Sequence, residues 1–365
     1  MKNKILILTN HVSGLYIARY ELIQKLLNNN CAVFISTPQN DANEYVITLC
    51  QLGVTHFVTP IDRRGISIKK DIVLIKKYKE IIKNVNPDII LTYTIKPNIF
   101  GNYAAKSFAI PVISNITGIG SMLYKGRFKL IFRYLYKYAC SKSRLVFFQN
   151  AANLEFFVTN KLVDPQKTVL IPGSGVNLDK FQPQKKTFND GKIRFLFIGR
   201  LMKEKGIQEF LQTADIVTRK YPNTVFQIVG SLEENKYKQL IVARKNIEFL
   251  GFSNDVRVQI RESDCIVNPS YHEGMSNVLL EGAAMSKPLL ASNIPGCKEI
   301  VNDGVNGFLF ESKNAKDMED KIVKFIELSD EEKVIMGKNS RIKVEKKFDR
   351  NIVVDEYIKA IKRNN

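Results

Sequence analysis

The sequence predicts an α/β protein with two doubly wound parallel sheets, one in each half of the chain. Short apolar runs alternate with stretches of helical periodicity along both halves, which is typical of parallel sheets. A length of 365 residues suits two domains of moderate size better than one. Residues 173–191 have the Gly, Pro, Asn, Asp and Lys composition of a link between domains. We therefore expect a first domain over residues 1–175 and a second over residues 190–345.

The first half begins with an apolar strand at 4–9, a loop from Asn10 to Gly14, and a helix that ends near Leu27. Gly14 is the one glycine of that loop, which therefore does not match GxGxxG. The loop is therefore interpreted either as a tight structural turn or as a ligand-binding loop. The remaining strands of this half are predicted at 31–37, 55–60, 88–94, 111–117, 144–150 and 167–172.

The second half repeats this architecture without repeating the sequence. Its strands are predicted at 193–199, 224–230, 247–250, 264–268, 288–291 and 307–310. Three helical stretches close the chain, at 315–328, 330–346 and 350–362.

Composition limits the class of protein. No apolar run approaches the ~18 residues of a membrane-spanning helix, and the run at 5–8 is too short for a signal peptide. We therefore expect a cytoplasmic protein. The five cysteines show no CxxC pairing and are expected to be buried free thiols. Three scattered histidines do not favour a transition-metal site, so no metal ligand is predicted.

The positive charge is concentrated in the first half. The net charge is +19, and residues 1–180 hold 24 Lys and Arg against 10 Asp and Glu. No acidic residue occurs between Asp88 and Glu155, where nine basic residues occur. Such an asymmetry is typical of an anionic partner, either a nucleic acid or a membrane surface.

Residues 122–144 mix seven basic residues with six aromatic ones and contain no acid. At helical spacing Leu130, Tyr134, Leu135 and Tyr138 can face the core. We expect this helix to lie on an anionic bilayer, where each basic residue contributes ~1 kcal/mol. A buried helix with a solvated basic face is the alternative. The basic residues assigned to the membrane are Lys125, Arg127, Lys129, Arg133 and Lys137.

Residues 264–292 read as strand, loop, helix and strand, with polar residues where the strand ends and the helix begins. Glu273 and Glu281 stand eight positions apart, which places one carboxylate on the loop and the other on the helix. The free N–H groups at the helix start suit a phosphate. Residues 199–206, GRLMKEKG, add two cations, Arg200 and Lys205, at another strand end. Fixed cations there can stabilise a departing diphosphate without a metal.

These two stretches together resemble the signature of retaining, nucleotide-sugar-dependent glycosyltransferases of family 4. The resemblance covers most of the chain and is most specific in 199–206 and 268–282. It implies the GT-B fold, in which two Rossmann-like domains face each other across a cleft and close by a hinge, here near 175–190. It also implies that the last helix, residues 349–363, crosses back to the first domain.

The resemblance implies a metal-independent donor site without a cofactor. Arg200 and Lys205 fall on phosphate-binding positions, and Glu273 would contact the transferred sugar; these three are the catalytic candidates. Glu281 would bind the ribose hydroxyls. The other candidate donor-binding residues are Gly14, Gly199, Phe249, Leu250, Gly274, Met275, Ser276, Asn277 and Val278.

Residues 92–105 and 115–121 resemble a subgroup that works on capsule, O-antigen and related lipid-linked glycans. Many family members carry a histidine where Thr117 stands here, before Gly118, so no catalytic histidine is assigned. Thr117, Gly118 and Lys96 are the acceptor-side candidates. Lys96 can meet an acceptor diphosphate or be an ordinary surface lysine.

The predicted activity is transfer of a sugar, such as GalNAc or GlcNAc, from a UDP-sugar to an undecaprenyl-diphosphate-linked acceptor at the inner face of the bacterial membrane. The enzyme would be peripheral there. A nucleotide-sugar 2-epimerase of the same fold is the nearest alternative. A basic nucleic-acid-binding protein is the other, although no nucleic-acid-binding motif occurs, so no nucleic-acid partner is expected.

Overall fold

The computed structural model describes residues 3–62, 67–118 and 129–362. This part of the chain divides into two compact units. One unit contains the residues up to Ser174 together with those from Asn351 onwards, and the other is Gly175–Arg350. Each unit contains one fully parallel sheet with helices packed against it.

The first unit has a seven-stranded sheet with the order β3-β2-β1-β4-β5-β6-β7. The order reverses between β1 and β4, as in doubly wound folds that bind ligands at this point. The strands are β1 (Lys4–Leu8), β2 (Ala32–Thr37), β3 (Thr55–Val58), β4 (Ile89–Tyr93), β5 (Val112–Ile116), β6 (Leu145–Phe148) and β7 (Thr168–Leu170).

The second unit has a six-stranded sheet with the order β10-β9-β8-β11-β12-β13. Its strands are β8 (Ile193–Ile198), β9 (Thr224–Val229), β10 (Ile247–Phe249), β11 (Cys265–Asn268), β12 (Leu289–Ser292) and β13 (Gly307–Phe310). All thirteen strand positions predicted from the sequence are confirmed, because buried parallel strands are short, nearly continuous apolar runs.

Helices cover both faces of each sheet in the described part of the chain. They are α1 (Val12–Asn28), α2 (Glu44–Gln51), α3 (Ile68–Val85), α4 (Asn102–Lys106), α5 (Lys129–Lys142), α6 (Ala151–Thr159), α7 (Ile207–Lys220), α8 (Lys236–Val242), α9 (Arg257–Glu262), α10 (Asn277–Ala284), α11 (Ala315–Ile326), α12 (Asp330–Lys347) and α13 (Arg350–Lys362). A π-helical turn, Pro97–Gly101, leads into α4.

The last helix, α13, packs in the first unit, as the resemblance implied. Tyr357 is fully buried, with its ring 4.8 Å from that of Phe147, and the Arg19 guanidinium lies over it at 5.2 Å. Arg144 donates a hydrogen bond to the Ala360 carbonyl oxygen over 2.7 Å. Aromatic and charged contacts therefore anchor the helix after the chain leaves the second unit.

The segment predicted to be a hinge, 175–190, belongs to the second unit. Glu262 accepts hydrogen bonds from the Thr187 backbone N–H over 3.0 Å and from the Thr187 hydroxyl over 2.8 Å. Lys186 forms an ion pair with Asp264 at 2.7 Å. Residues 186–188 are therefore tied to the second unit, although the composition of the segment looks like that of a free linker. A hinge near 175–190 stays a prediction.

Gly14 does not lie in a loop. Helix α1 begins at Val12, and the His11 side chain caps it by accepting from the Gly14 N–H. A Cβ atom on Gly14 would meet nothing within 4 Å. The predicted helix start was three residues late, because a histidine cap is a weaker sequence signal than Ser, Thr, Asp or Asn.

Helix α5 buries only part of the predicted face: Leu135 packs against the core and Tyr138 is half-buried, but the other two residues face solvent. Leu130 and Tyr134 are 78% and 72% exposed. The buried residues are instead Tyr136, Ala139 and Cys140. Periodicity alone offered two apolar stripes, and the small pair Ala139 and Cys140 allows the closer packing.

The cysteine prediction holds for three of the five residues. Cys140, Cys265 and Cys297 are buried, whereas Cys31 is half-buried and Cys50 is exposed. Burial raises the pKa of the Cys140 thiol to about 12, so this thiol is unreactive at neutral pH. All five are free thiols.

Candidate active site

The second unit brings its two signature segments together at the carboxyl edge of the sheet. Residues 199–206 follow β8, and residues 269–276 connect β11 to α10. Strands β8 and β11 are hydrogen-bonded neighbours. Open parallel sheets bind ligands at such strand ends.

Lys205 and Glu273 form an ion pair at this edge, with 2.5 Å between Lys205 Nζ and Glu273 Oε1. The Ser270 hydroxyl donates to the same carboxylate oxygen over 2.7 Å. The side chains of Lys205 and Glu273 are 25% and 14% exposed, so the pair is shielded but reachable from solvent. Charges in such a place are screened less than surface charges and can act strongly on a developing anion.

Main-chain contacts hold the two loops together. The turn Lys203–Lys205 ends at Gly206, which has φ +70°. A Cβ atom on Gly206 would lie 2.0 Å from the Pro269 carbonyl oxygen. The Tyr271 N–H donates to the Glu204 carbonyl oxygen over 2.9 Å. Glycine is required here, both for the left-handed backbone and for the close approach of the two loops.

Arg200 is exposed at the end of β8, immediately before the turn that carries Lys205. The Gly199 N–H donates to the Val229 carbonyl oxygen over 2.9 Å. A Cβ atom on Gly199 would be 3.6 Å from the Phe197 ring, an ordinary contact. Gly230 has the stricter requirement, because its φ is +154° and a Cβ there would be 1.8 Å from the Gly199 carbonyl oxygen.

The start of α10 is built as an anion-binding end. Ser276 is its N-cap and accepts from the Leu279 N–H over 3.3 Å. The Asn268 side chain donates to the Ser276 hydroxyl. The N–H groups of Asn277 and Val278 have no acceptor within the helix, because they lie in its first turn. These donors and the helix dipole together suit a phosphate.

Gly274 and Met275 belong to the same loop. Met275 is 8% exposed and packs into the core below the loop. Gly296, in the turn after β12, has φ +85°, and a Cβ on it would lie 2.8 Å from the Gly274 carbonyl oxygen. The Gly296 N–H donates to Glu299 over 2.7 Å, which makes Glu299 a turn-stabilising residue.

Glu281 lies in the second turn of α10 and is half-buried. Burial raises the pKa of its carboxyl group to about 7, against the opposing effect of the positive charges of Arg350 and Lys180. A Cβ on the neighbouring Gly282 would lie 2.5 Å from Ile266 Cγ1 on β11. This close packing holds the turn of α10 that carries Glu281 against β11.

Phe249 is the last residue of β10 and Leu250 follows it, on the far side of β9 from β8. They are 38% and 43% exposed, and Phe252 is 66% exposed. Apolar residues at a strand end are usually core, but these rings and methyl groups remain open to a ligand.

In the first unit, Gly14, Lys96, Thr117 and Gly118 lie after the ends of β1, β4 and β5, which are neighbouring strands. Thr117 and Gly118 are half-buried. Lys96 is not an open surface lysine. Its Nζ is 2.6 Å from Asp71 Oδ1, and its side chain is 14% exposed.

Several polar side chains of residues 92–105 are buried in the core and are hydrogen-bonded there. The Thr92 hydroxyl donates to Asn98 over 2.7 Å, and the Asn102 side chain donates to the Ser114 hydroxyl over 2.8 Å. A Cβ on Gly101 would be 2.9 Å from Leu8 Cδ1. This stretch therefore owes its residue types largely to buried hydrogen bonds and close packing.

Of the residues assigned to the membrane, Lys125 and Arg127 lie outside the described ranges. Lys129, Arg133 and Lys137 lie on α5. Lys137 is exposed, Lys129 is half-buried, and the Arg133 guanidinium lies 5.3 Å from the Phe156 ring centroid. Across residues 3–62, 67–118 and 129–362, no helix is long and apolar enough to cross a membrane. Nor does this part contain a group of three or more His, Cys, Asp and Glu that could hold a metal ion.

Sequence reasoning missed several residues that shape the site. Gly230 and Gly296 permit close approaches, and Tyr271 and Glu209 connect the two signature loops through a hydrogen bond of 2.7 Å. For the glycines a signal existed, because Gly230 is the last residue of the predicted strand 224–230 and Gly296 lies in the turn after the predicted strand 288–291. For Tyr271 and Glu209 no local signal existed, since they are 62 positions apart.

Two protein-family models match the chain in succession. The model for glycosyl transferase 4-like domains matches residues 4–150, and the model for glycosyl transferases group 1 matches residues 179–343. A galactosyltransferase of Escherichia coli, UDP-Gal:alpha-D-GlcNAc-diphosphoundecaprenol alpha-1,3-galactosyltransferase, is 30% identical over 82% of this chain and 81% of its own.

A second relative is the N,N'-diacetylbacillosaminyl-diphospho-undecaprenol alpha-1,3-N-acetylgalactosaminyltransferase of Campylobacter jejuni. It is 28% identical over 96% of both chains. Among solved structures, Anabaena Alr3699/HepE in complex with UDP and glucose superposes with a TM-score of 0.79. It covers all of both chains at 18% identity, so it supports the fold alone.

Two parallel-sheet units, with cations and a carboxylate at the strand ends of the second, define a glycosyltransferase of the GT-B class. The chain belongs to the glycosyltransferase family that the two models describe, the 4-like and group 1 glycosyltransferases. The resemblance predicted from residues 199–206 and 264–292 is confirmed.

Proposed function

We propose that the enzyme transfers a hexosyl group, with retention of configuration, from a UDP-sugar to an undecaprenyl-diphosphate-linked acceptor. The observation that carries the proposal is the shielded Lys205–Glu273 pair beside the open first turn of α10. A cation, a carboxylate and free N–H donors at one sheet edge match a diphosphate joined to a sugar.

Each residue then has a chemical role. Lys205 and Arg200 neutralise the diphosphate as the bond to the sugar breaks, which is the part a metal ion would otherwise take. The N–H groups of Asn277 and Val278 bind phosphate oxygens. Glu273 accepts hydrogen bonds from sugar hydroxyls and Glu281 from the ribose. We therefore propose a metal-independent reaction without a cofactor.

The activities for which two relatives are named support the proposed donor and acceptor. The E. coli relative uses UDP-Gal and a diphosphoundecaprenol-linked sugar. The C. jejuni relative transfers N-acetylgalactosamine to a diphospho-undecaprenol-linked sugar. Both names specify an alpha linkage, which agrees with retention if the UDP-sugar donor is itself an α-glycoside. An N-acetylhexosamine, GalNAc or GlcNAc, is the donor sugar we propose.

The acceptor side of the proposal rests on the first unit. Thr117 and Gly118 follow β5 in an accessible position and remain the acceptor candidates. Lys96 could meet an acceptor diphosphate only by leaving Asp71, because the ion pair already neutralises its charge. We assign no protein base, since the departing diphosphate can itself accept the acceptor proton.

Nucleotide binding tests the donor proposal directly. Ligand binding to the folded state raises the thermal midpoint, so saturating UDP should raise it by degrees. One UDP-sugar should give a larger shift than UDP, whereas ADP and GDP should give little. Purified protein would be melted with each nucleotide and with UDP-GalNAc, UDP-GlcNAc and UDP-Gal. A shift with oligonucleotides and none with any uridine nucleotide would contradict the proposal.

We also propose that the enzyme is peripheral on the anionic inner membrane face and attaches through α5. Leu130, Ile131 and Tyr134 are more than half exposed, and Lys137 is exposed near them. Apolar side chains next to lysines suit a bilayer interface better than the purely basic face predicted from the sequence.

The basic surface extends from α5 across α4 to α3. The rings of Tyr103 and Tyr138 lie 6.0 Å apart. Lys79 lies 5.6 Å from the Tyr103 ring, and Lys106 and Lys142 lie 6.0 and 5.9 Å from the Tyr138 ring. Lysines with interfacial tyrosines favour anionic headgroups as the partner.

Changing Leu130→Gln, Tyr134→Gln and Lys137→Glu together should weaken vesicle binding at least about tenfold, since it removes inserted apolar area and reverses a charge. Sedimentation with phosphatidylglycerol-containing vesicles measures this, and the UDP-induced thermal shift should not change. The matched control is Val334→Gln, Ile335→Gln and Lys338→Glu, an exposed face of α12. Equal sedimentation of both triple variants would rule out α5 as the attachment site.

A further inference from the structure

Tyr271 and Glu209 join the two loops that carry the ion pair. Tyr271 is 8% exposed, and its hydroxyl donates to Glu209 Oε1 over 2.7 Å. Glu209 lies in the first turn of α7, four residues after Lys205. Tyr271 lies two residues before Glu273. The Tyr271–Glu209 hydrogen bond therefore connects the segment next to Glu273 with the segment next to Lys205.

The surroundings of the Tyr271–Glu209 hydrogen bond keep Tyr271 as the donor and Glu209 as the acceptor. Burial and the Glu209 carboxylate raise the pKa of Tyr271 well above its usual range, so the hydroxyl stays protonated and donates. Glu209 Oε2 is buried without a hydrogen-bond partner in the described part of the chain. The carboxylate therefore depends on Tyr271, and a charge-assisted hydrogen bond of this kind is among the stronger ones.

A third loop reaches the same tyrosine. Lys313, after β13, lies 5.0 Å from the centroid of the Tyr271 ring. The ring is thus fixed by α7 at its hydroxyl, by Lys313 at its face and by the Glu204 carbonyl at its main chain. Such a residue can set the position of the loop without touching a ligand.

We infer that Tyr271 and Glu209 are positioning residues, whose hydrogen bond keeps Glu273 in register with Lys205 for transfer. The inference rests on the proposed function of the Lys205–Glu273 site. A misplacement of about 1 Å in a reacting geometry can reduce the rate about 100-fold. We call the Tyr271–Glu209 hydrogen bond the clamp. Its loss should therefore lower kcat and change KM for the UDP-sugar only a little.

The test uses paired substitutions in the full-length enzyme. Tyr271→Phe should lower kcat by about 10- to 100-fold, with KM within about threefold. It also leaves a buried carboxylate unpaired, so its thermal midpoint should fall. Glu209→Gln keeps an oxygen that accepts from Tyr271 and should retain most of the activity. The double variant Tyr271→Phe, Glu209→Met removes both polar partners, which restores stability but not the clamp.

The double variant decides between positioning and simple structural support. Recovered thermal stability with kcat still low supports the inference, whereas recovery of both overturns it. Tyr221→Phe is the matched control, because Tyr221 donates to Glu327 over 3.1 Å in the same unit and precedes β9, away from the carboxyl ends of the strands. It should leave kcat unchanged. If Lys205→Ala retains full activity, the proposed function fails. If Lys205→Ala is inactive but the Tyr271 and Glu209 variants keep full activity, the inference alone fails.

Discussion

Lys205→Ala should reduce kcat for sugar transfer by at least about 100- to 1,000-fold, with little change in the fold. Removing one preformed group that stabilises transition-state charge has an effect of this size. The ammonium group also holds Glu273 through a 2.5 Å contact, so its loss frees that carboxylate to move and leaves it without its counter-ion. Both consequences act on the same step. Steady-state kinetics with the UDP-sugar identified by thermal shift would measure the loss.

Two variants of the same turn provide the comparison. Lys203→Ala removes an exposed side chain, while the Lys203 N–H still donates to Glu234 over 3.1 Å. It should keep nearly full activity. Lys205→Arg keeps the charge but changes its shape and should recover only part of the activity. Equal turnover of Lys205→Ala and Lys203→Ala would refute the role assigned to this cation.

Glu281→Gln should weaken UDP binding and make that binding nearly independent of pH. In the unliganded enzyme burial raises the pKa of Glu281 to about 7. A carboxylate must be ionised to accept hydrogen bonds from two ribose hydroxyls. Because the ionised fraction of a group with a pKa of about 7 rises about 30-fold between pH 5.5 and 8.5, the wild-type affinity for UDP should increase by about that factor, and remain flat in the variant. Calorimetric titration at several pH values would show it.

The same substitution should stabilise the protein without ligand. The folded-state pKa of Glu281, about 7, lies above the ordinary value of 4.5, so the folded state binds a proton more tightly than the unfolded state. Stability from this group is therefore complete below pH 4.5 and is lost as pH rises through 7. At pH 8 the loss can approach ~3 kcal/mol, and Gln, which cannot ionise, avoids it.

Thermal melts without nucleotide check this sign. Glu281→Gln should melt several degrees above wild type at pH 8, with a smaller difference at pH 5. Glu331→Gln, on an exposed part of α12, should change neither the melt nor UDP binding. A variant that is less stable than wild type at pH 8 would show that Glu281 is a structural residue instead.

The architecture and the donor-side signature were readable from the chain because each depends on local sequence. Parallel strands buried on both faces are short apolar runs, and residues 199–206 and 268–282 carry their polar groups in one continuous stretch each. Lys96 shows the limit of such reading. Its partner Asp71 is 25 positions away, so a cation that looked available is already neutralised.

Two further features depended on packing that local pattern does not encode. In α5 the spacing of apolar residues allowed either of two faces to be buried, and the edge-to-face contact of Tyr136 with Phe157, at 5.4 Å, belongs to the buried one. Residues 175–190 look like a linker, but Glu262 and Asp264 bind residues 186–188 to the second unit.

The sequence by itself determined the two parallel sheets and the identity of the cations and carboxylates at the strand ends, while the return of the last helix followed from the family resemblance. The tertiary structure alone decided which of these groups meet. Lys205 and Glu273 are 68 positions apart and touch because Gly206 has no Cβ to keep it from the Pro269 carbonyl. Such a close approach requires that one segment has no side chain at the point where a distant segment of the sequence contacts it. A pattern within either segment alone does not show which distant segment that is.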